Sequence, residues 1–211
     1  MTPPADLIAS SNHPSVLADS IVVVSGLPRS GTSLMMAMLQ AGGVPVLSDG
    51  LRRPDDDNPN GYFEFEPVKH LRTDNTWLAE ARGKALKIVV PLLFHLPNSF
   101  DCRVLFMERN LDEVIASQTA MLARKGIPSR LPPETLKAAF QRQLSQARDF
   151  LAASPKRQSL TLNFREVLNH PASAANAIAT FLTPGLDVAA MAAIVNPALH
   201  RQRKSDASQD A

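Results

Sequence analysis

The chain has 211 residues, of which 45% are hydrophobic and 20% charged, and its formal net charge is +2. This length and apolar content suffice for one α/β domain with a substantial core. The near balance of charge gives no support to a nucleic-acid-binding surface. The single cysteine, Cys102, excludes an internal disulfide framework and a cysteine-rich zinc site, and it makes the cytoplasm the default compartment.

The chain is predicted to have one domain between two short terminal segments. Residues 1–20 form an N-terminal extension without the features of a signal peptide. Residues 21–200 form the domain, and residues 201–211 are a polar tail that we expect to be disordered. No run of residues approaches the roughly 18 apolar residues of a membrane span, so no membrane segment is expected.

The first predicted elements are a strand, a loop and a helix. Residues 21–24 are four consecutive β-branched residues, typical of a strand buried on both faces of a parallel sheet. Gly26 and Gly31 permit a loop whose amides converge on one anion. Thr32 and Ser33 open a helix, and its N-terminus attracts negative charge. This stretch therefore predicts a phosphate or sulfate site.

The loop departs from the nucleotide-binding Walker A motif at one position. The spacing from Gly26 to Gly31 matches that motif, but Thr32 stands where the Walker lysine is expected. Arg29 supplies a cation inside the loop, and its planar guanidinium suits an oxyanion. The departure favours an anion held without the Mg-ATP machinery. A P-loop kinase or NTPase remains an alternative, because Glu108 could end a Walker B strand.

A second motif spans residues 103–122. An apolar strand is predicted over residues 104–107 and an amphipathic helix from Leu111 onward. Arg109 stands where the strand ends, which is the ligand-binding edge of open α/β sheets. Ser117 lies on the flank of the helix's buried stripe and can therefore face a crevice.

Between these motifs, residues 58–66 begin as a turn and then alternate apolar and acidic residues. An extended backbone would place Phe63 and Phe65 on one face and Glu64 and Glu66 on the other. The segment can thus present a carboxylate on one face while its phenylalanine side chains pack on the other.

The remaining pattern completes an α/β domain with a central, mainly parallel sheet flanked by helices. The predicted elements are a helix over 68–81, a strand over 88–90, a helix from the prolines at 132–133 to residue 151, a strand over 159–164, and helices over 172–182 and 188–195. Loops at residues 49–60 and 125–133 are predicted to shape a substrate pocket.

The sequence LPRSGTSLMMAML and the pair Arg109 and Ser117 resemble the 5′-phosphosulfate and 3′-phosphate motifs of sulfotransferases. The likeness is greatest to the branch of bacterial sulfotransferase-like proteins and tyrosylprotein sulfotransferases. The family often has proline where Leu111 stands. Cytosolic sulfotransferases also have a late Arg-Lys-Gly segment that this sequence lacks, and Arg201 or Arg203 could replace that segment.

The resemblance implies a P-loop NTPase-like sulfotransferase fold. It also implies 3′-phosphoadenosine 5′-phosphosulfate (PAPS) as sulfonyl donor and PAP, the 3′,5′-bisphosphate, as product, with no metal. The acceptor would be a hydroxyl or amine on a small molecule, a glycan or a peptide. A noncatalytic protein that binds PAPS or PAP is the further alternative.

The resemblance also implies roles for individual residues. The implied nucleotide ligands are Arg29, Ser30, Gly31, Thr32 and Ser33 for the phosphosulfate, and Arg109 and Ser117 for the 3′-phosphate. Glu64, in GYFE, is the implied base, with Glu66 and His95 as alternatives. Lys87 is implied beside the bridging oxygen of the donor, with Lys84 as its competitor, and Arg29 would also stabilise the sulfonyl group in transfer.

Overall fold

The computed structural model describes residues 17–52, 55, 61–128 and 131–196. The N-terminal extension predicted at 1–20 lies outside the described residues except for 17–20, and the tail predicted at 201–211 lies wholly outside them. Arg201 and Arg203 are therefore also outside. Across the described ranges, none of the helices combines the length and apolarity needed to cross a bilayer.

In the described residues, four strands and six α-helices follow one another, with three 3₁₀ helices between the first and the third strand. The strands are β1 (Ile21–Gly26), β2 (Ala85–Lys87), β3 (Cys102–Glu108) and β4 (Arg157–Asn163). The α-helices are α1 (Thr32–Ala41), α2 (Leu111–Arg124), α3 (Pro133–Ala152), α4 (Phe164–Asn169), α5 (Pro171–Leu182) and α6 (Val188–Ala193). The 3₁₀ helices cover Glu66–His70, Thr76–Ala81 and Leu92–His95.

The strands form one parallel sheet in the order β2-β1-β3-β4. The register pairs Val24 of β1 with Lys87 of β2 on one side and with Leu105 of β3 on the other. The chain therefore leaves β1 toward one edge and crosses back past it to reach β3. The order reverses between β1 and β3, and ligands of open α/β sheets bind at the carboxyl ends of the strands at such a point.

Helices cover both faces of the sheet, as predicted. Residues 21–24 of β1 are fully buried, with alternate side chains entering two separate hydrophobic clusters. One cluster contains side chains of α2, α3 and the 3₁₀ helices, and the other contains side chains of α1, α4, α5 and α6. Burial of branched apolar side chains on both faces stabilises β1, and thereby the loop that follows it.

The helix predicted over 68–81 is wrong in type and extent, because two 3₁₀ helices separated by a turn occupy this stretch. In the turn, Asp74 accepts hydrogen bonds from the backbone N–H of Thr76 at 3.0 Å and from its hydroxyl at 2.7 Å. Side chains of this type compete for backbone groups and interrupt helices. The apolar spacing that suggested one helix comes from Val68, Leu71 and Leu78, which are buried in the cluster on the α2 side.

Two strand predictions are displaced. The strand predicted over 88–90 is found at Ala85–Lys87. The amides of Ile88 and Val90 still donate to the carbonyls of Val24 and Gly26 in β1. The strand predicted over 159–164 is Arg157–Asn163, because the Asn163 side chain caps α4 by accepting from the amides of Arg165 and Glu166. The last two helices match the prediction apart from their ends, at Pro171 and Ala193.

The expectation that Phe63 and Phe65 share one face is also wrong. Phe63 has φ of 50°, in the left-handed region, so the backbone turns between the two rings. Phe63 packs against the cluster on the α1 side and Phe65 against the cluster on the α2 side. Residues 62–65 therefore run between the two hydrophobic clusters, and the carbonyl of Tyr62 meets Lys87 at the carboxyl end of β2.

Candidate nucleotide-binding and transfer site

The loop between β1 and α1 has glycine where no other residue fits. Gly26 and Gly31 have φ of 144° and 102°. A Cβ on Gly26 would lie 2.6 Å from Ser30 Oγ, and one on Gly31 would lie 2.9 Å from Cε2 of Phe164. The backbone therefore passes through a space without room for side chains, which is the condition for its close approach to an anion.

The first turn of α1 is open to an anion. Gly31 is the N-cap residue, no side chain caps the helix, and no acidic residue lies in its first turn. The hydroxyls of Ser25 and Ser30 are buried and have no hydrogen-bond partner among the residues that the structure describes. Buried polar groups are usually paired, so an unpaired Ser30 hydroxyl within this loop fits a bound oxyanion.

Arg29 connects the loop to the second motif. Its Nε donates to Ser117 Oγ at 3.0 Å, although the two residues are 88 positions apart. Burial lowers the pKa of Arg29, an effect that the neighbouring Arg124 reinforces and Tyr62 and Asp55 oppose. The structure thus brings together two residues that the resemblance to sulfotransferases assigns to opposite ends of PAPS.

Arg109 lies beside the same loop. Its Nη1 donates to the backbone carbonyl of Arg29 at 3.2 Å and its Nε to Glu113 at 2.9 Å. The guanidinium carbon lies 4.5 Å from the centre of the Phe164 ring. Burial lowers the pKa of Arg109, and Glu113 raises it. Arg109 and Ser117 therefore stand at the carboxyl edge of β3, next to the loop of residues 27–31 between β1 and α1 (the anion loop).

Glu64 lies at the end of a segment that is fixed at several points. Its backbone carbonyl accepts from the hydroxyl of Ser48 at 3.0 Å and from the amide of Asp49 at 3.1 Å. Its carboxylate accepts from Arg52 at 2.8 Å, and both side chains are about one-third exposed, at 33% and 35%. The Arg52 guanidinium also lies over the Tyr62 ring, 3.3 Å from its centre. Glu64 is thus ion-paired while still in contact with solvent.

Lys87 ends β2 on the same edge of the sheet and donates to the backbone carbonyl of Tyr62. Burial lowers the pKa of Lys87 to about 8, with Glu64 opposing the shift. Its competitor Lys84 lies before the amino end of β2, the opposite edge of the sheet from the loop. The structure therefore brings Lys87, and not Lys84, toward Glu64.

The two alternative bases lie in different surroundings from Glu64. The carboxylate of Glu66 is half exposed and pairs with Lys69 at 2.6 Å. His95 is the exposed last residue of the third 3₁₀ helix, in which Leu93 is buried. Glu64 is the candidate base that shares its surroundings with Lys87.

Four contributors to the site carried no assignment from the sequence: Arg52, Tyr62, Glu113 and Phe164. Tyr62 is buried, and its hydroxyl donates to Asp55 at 2.6 Å. The one local signal was the four-residue spacing from Arg109, just before α2, to Glu113 in its first turn. Arg52, Tyr62 and Phe164 contact the other site residues through the tertiary fold, which no local sequence pattern indicates. In the described part of the chain, no group of three or more His, Cys, Asp or Glu side chains could hold a metal ion.

Comparison with known proteins identifies the fold. No protein-family model matches the chain, and no curated protein matches it in sequence. The structure is similar to the sulfotransferase domain of the Synechococcus PCC 7002 olefin synthase, with a TM-score of 0.57 and 16% identity over 93% of this chain and 92% of that one. It is also similar to a sulfotransferase from Alicyclobacillus acidocaldarius, with a TM-score of 0.54 and 16% identity over 80% and 82% of the two chains. The chain has a sulfotransferase-like α/β fold.

Proposed function

We propose that the protein is a sulfotransferase that moves the sulfonyl group of PAPS to a hydroxyl or amine acceptor. One observation carries the proposal. Arg29 of the anion loop and Arg109 and Ser117 of the second motif meet at the point where the strand order of the sheet reverses. A ligand with two separate anionic groups suits a site built from two such motifs.

The residues present fit such a nucleotide. The amides at the start of α1, the unpaired Ser30 hydroxyl and Arg29 would hold the phosphosulfate. Arg109 and Ser117 would hold the 3′-phosphate. PAPS supplies an activated sulfonyl group with a phosphate leaving group. Because transfer mainly needs positioning and charge stabilisation, cations around this loop are the groups the chemistry requires.

Glu64 serves as the general base in this proposal. Its carboxylate takes the proton of the acceptor hydroxyl or amine as a bond forms from that oxygen or nitrogen to sulfur. The bond from sulfur to the phosphate oxygen breaks, and the ammonium of Lys87 offsets the charge left on that oxygen. Arg52 orients the carboxylate from its 2.8 Å ion pair.

The kinase or NTPase alternative receives less support. Thr32 stands at the position of the Walker lysine. Glu108, the candidate Walker B acid, is paired with Arg148, whose Nε and Nη2 lie 2.9 and 2.8 Å from the same carboxylate oxygen. A carboxylate oxygen that accepts from an arginine in this way does not support the metal-binding role of a Walker B acid.

Glu64→Gln should lower the rate of sulfonyl transfer by about 10²–10⁴-fold, because the amide cannot accept the acceptor's proton. The measurement follows radiolabelled sulfonyl groups from PAPS to a panel of alcohols, phenols, amines, glycans and peptides. Glu66→Gln is the matched control and should stay close to wild type, because that carboxylate is half exposed and pairs with the surface residue Lys69.

Two results would count against this mechanism. Full turnover by Glu64→Gln would remove Glu64 as the base. A wild-type protein that binds PAP but transfers to no acceptor in the panel would favour the noncatalytic binder.

A further inference from the structure

Arg109 is held on three sides by groups that no ligand supplies. Glu113 accepts from Nε at 2.9 Å, the carbonyl of Arg29 accepts from Nη1 at 3.2 Å, and the ring of Phe164 lies against the guanidinium face. The side chains of Arg109 and Glu113 are only 8% and 6% exposed. A buried ion pair in this geometry orients the arginine as well as neutralising it.

The carbonyl that Arg109 contacts belongs to the most constrained residue of the anion loop. Arg29 has φ of 71°, which is uncommon for a residue with a side chain. Its side chain is also fixed, through Nε, to Ser117. A residue in this backbone region persists only where its surroundings determine it, and here both contacts come from the second motif.

Glu113 is placed to orient Arg109 toward the carbonyl of Arg29. It lies in the first turn of α2, where Asn110 caps the amides of Asp112 and Glu113 and where a carboxylate is favoured by the helix dipole. The guanidinium is a rigid fork, so engaging Nε determines where the Nη1 edge points. That edge meets the carbonyl of Arg29.

We propose that Glu113 is a positioning residue that acts through Arg109 to hold the anion loop in its binding conformation before any ligand arrives. Arg109 then has two roles, one toward the 3′-phosphate and one toward the loop. A nucleotide that carries only a 5′-phosphate should therefore depend on Glu113 as well. The proposal rests on the proposed function only in its choice of nucleotides.

The test uses the full chain without ligand and then with two nucleotides. Amide hydrogen exchange of residues 27–33 is measured in wild type, Glu113→Ala and Glu113→Gln. Calorimetry then gives the affinities for adenosine 5′-monophosphate and for PAP. Asp112→Asn is the matched control, because it removes a neighbouring carboxylate from the same helical turn, one that pairs instead with Lys137.

In Glu113→Ala, loop exchange should rise and both affinities should fall by about tenfold, the equivalent of one lost charge-assisted hydrogen bond. Glu113→Gln should remain nearer to wild type, because its amide oxygen can still accept from Nε. Asp112→Asn should change neither measurement. Should Glu113→Ala fail to fold, Arg109→Lys gives the same exchange test, because one ammonium cannot replace the fork.

Two outcomes overturn the proposal. One is loop exchange in Glu113→Ala equal to that in Asp112→Asn. The other is a loss of PAP affinity with unchanged affinity for the 5′-monophosphate, which would confine Glu113 to the 3′-phosphate. If the wild type binds neither nucleotide, the proposed function fails, and the exchange data alone decide the role of Glu113.

Discussion

Lys87 is a buried cation that links the end of β2 to the segment carrying Glu64. Its ammonium donates to the carbonyl of Tyr62, two residues before Glu64. Burial lowers its pKa from 10.5 to about 8. The folded protein therefore binds fewer protons at this site than the unfolded chain between those two pH values, and its stability relative to a variant without the amine must rise with pH there.

Lys87→Met should reveal this dependence. Between pH 8 and 10.5, the free energy of unfolding of the wild type should rise relative to that of the variant, by up to about 3 kcal/mol, because deprotonation relieves the buried charge. Below pH 8 the difference between the two proteins should be constant. Urea unfolding at a series of pH values measures it, and parallel profiles through pH 10.5 would show that Lys87 has an ordinary pKa.

Single residues of the site were predictable from sequence where the local backbone determines their chemistry. Gly26 and Gly31 have the positive φ that the loop pattern requires, and Arg109 stands at the end of β3 as the strand pattern predicts. The pairing of Arg52 with Glu64 was not predictable. It depends on two segments whose approach is fixed by hydrogen bonds from Ser48 and Asp49, which leave no periodic signal.

Packing against α4 restricts which side chains fit in the anion loop, in addition to the restriction set by the loop's own backbone conformation. Phe164, the first residue of α4, lies where a Cβ on Gly31 would be. Gly43 has a similar φ of 91°, but apart from its chain neighbours no heavy atom of the described residues lies within 4 Å of the corresponding position. Substitutions at Gly43 should therefore report backbone strain alone, whereas substitutions at Gly31 should report backbone strain and steric overlap together.

Gly43→Ala should cost about 1–2 kcal/mol of unfolding free energy, because the left-handed backbone disfavours a Cβ. Gly31→Ala should cost about 1–3 kcal/mol more, because its methyl group also overlaps the Phe164 ring. Urea unfolding of both variants provides the comparison. Equal losses would mean that Phe164 moves aside and does not shape the loop.

Elements with a strong period were predicted well, and those governed by side-chain competition were not. The helix following the prolines at 132–133 is present as α3, because its apolar stripe of Phe140, Leu144, Ala147 and Leu151 is buried. The stretch over 68–81 has a similar apolar spacing, but Asp74 and its neighbours interrupt it. The spacing of apolar residues gives no sign that a polar side chain will compete for the backbone hydrogen bonds of a helix.

At the scale of the whole molecule, the strand order brings the site together. Motifs some 80 residues apart in sequence meet because β1 and β3 are neighbours, and Lys87 joins them because β2 flanks β1 on its other side. The α/β class and the parallel sheet follow from apolar strands alternating with helices, and β1, with its four buried β-branched residues, is the clearest of these strands. The order β2-β1-β3-β4 does not, because hydrophobic patterns specify which faces are buried and not which strands are neighbours.

We propose that this site takes a nucleotide with separate 5′ and 3′ anionic groups and not a magnesium-bound nucleoside triphosphate. Calorimetry with PAP and with Mg-ATP distinguishes the two ligands. We expect PAP to bind more tightly by about tenfold or more, since charge-assisted contacts to one 3′-phosphate contribute roughly 1.5–3 kcal/mol. Tighter binding of Mg-ATP would contradict the account.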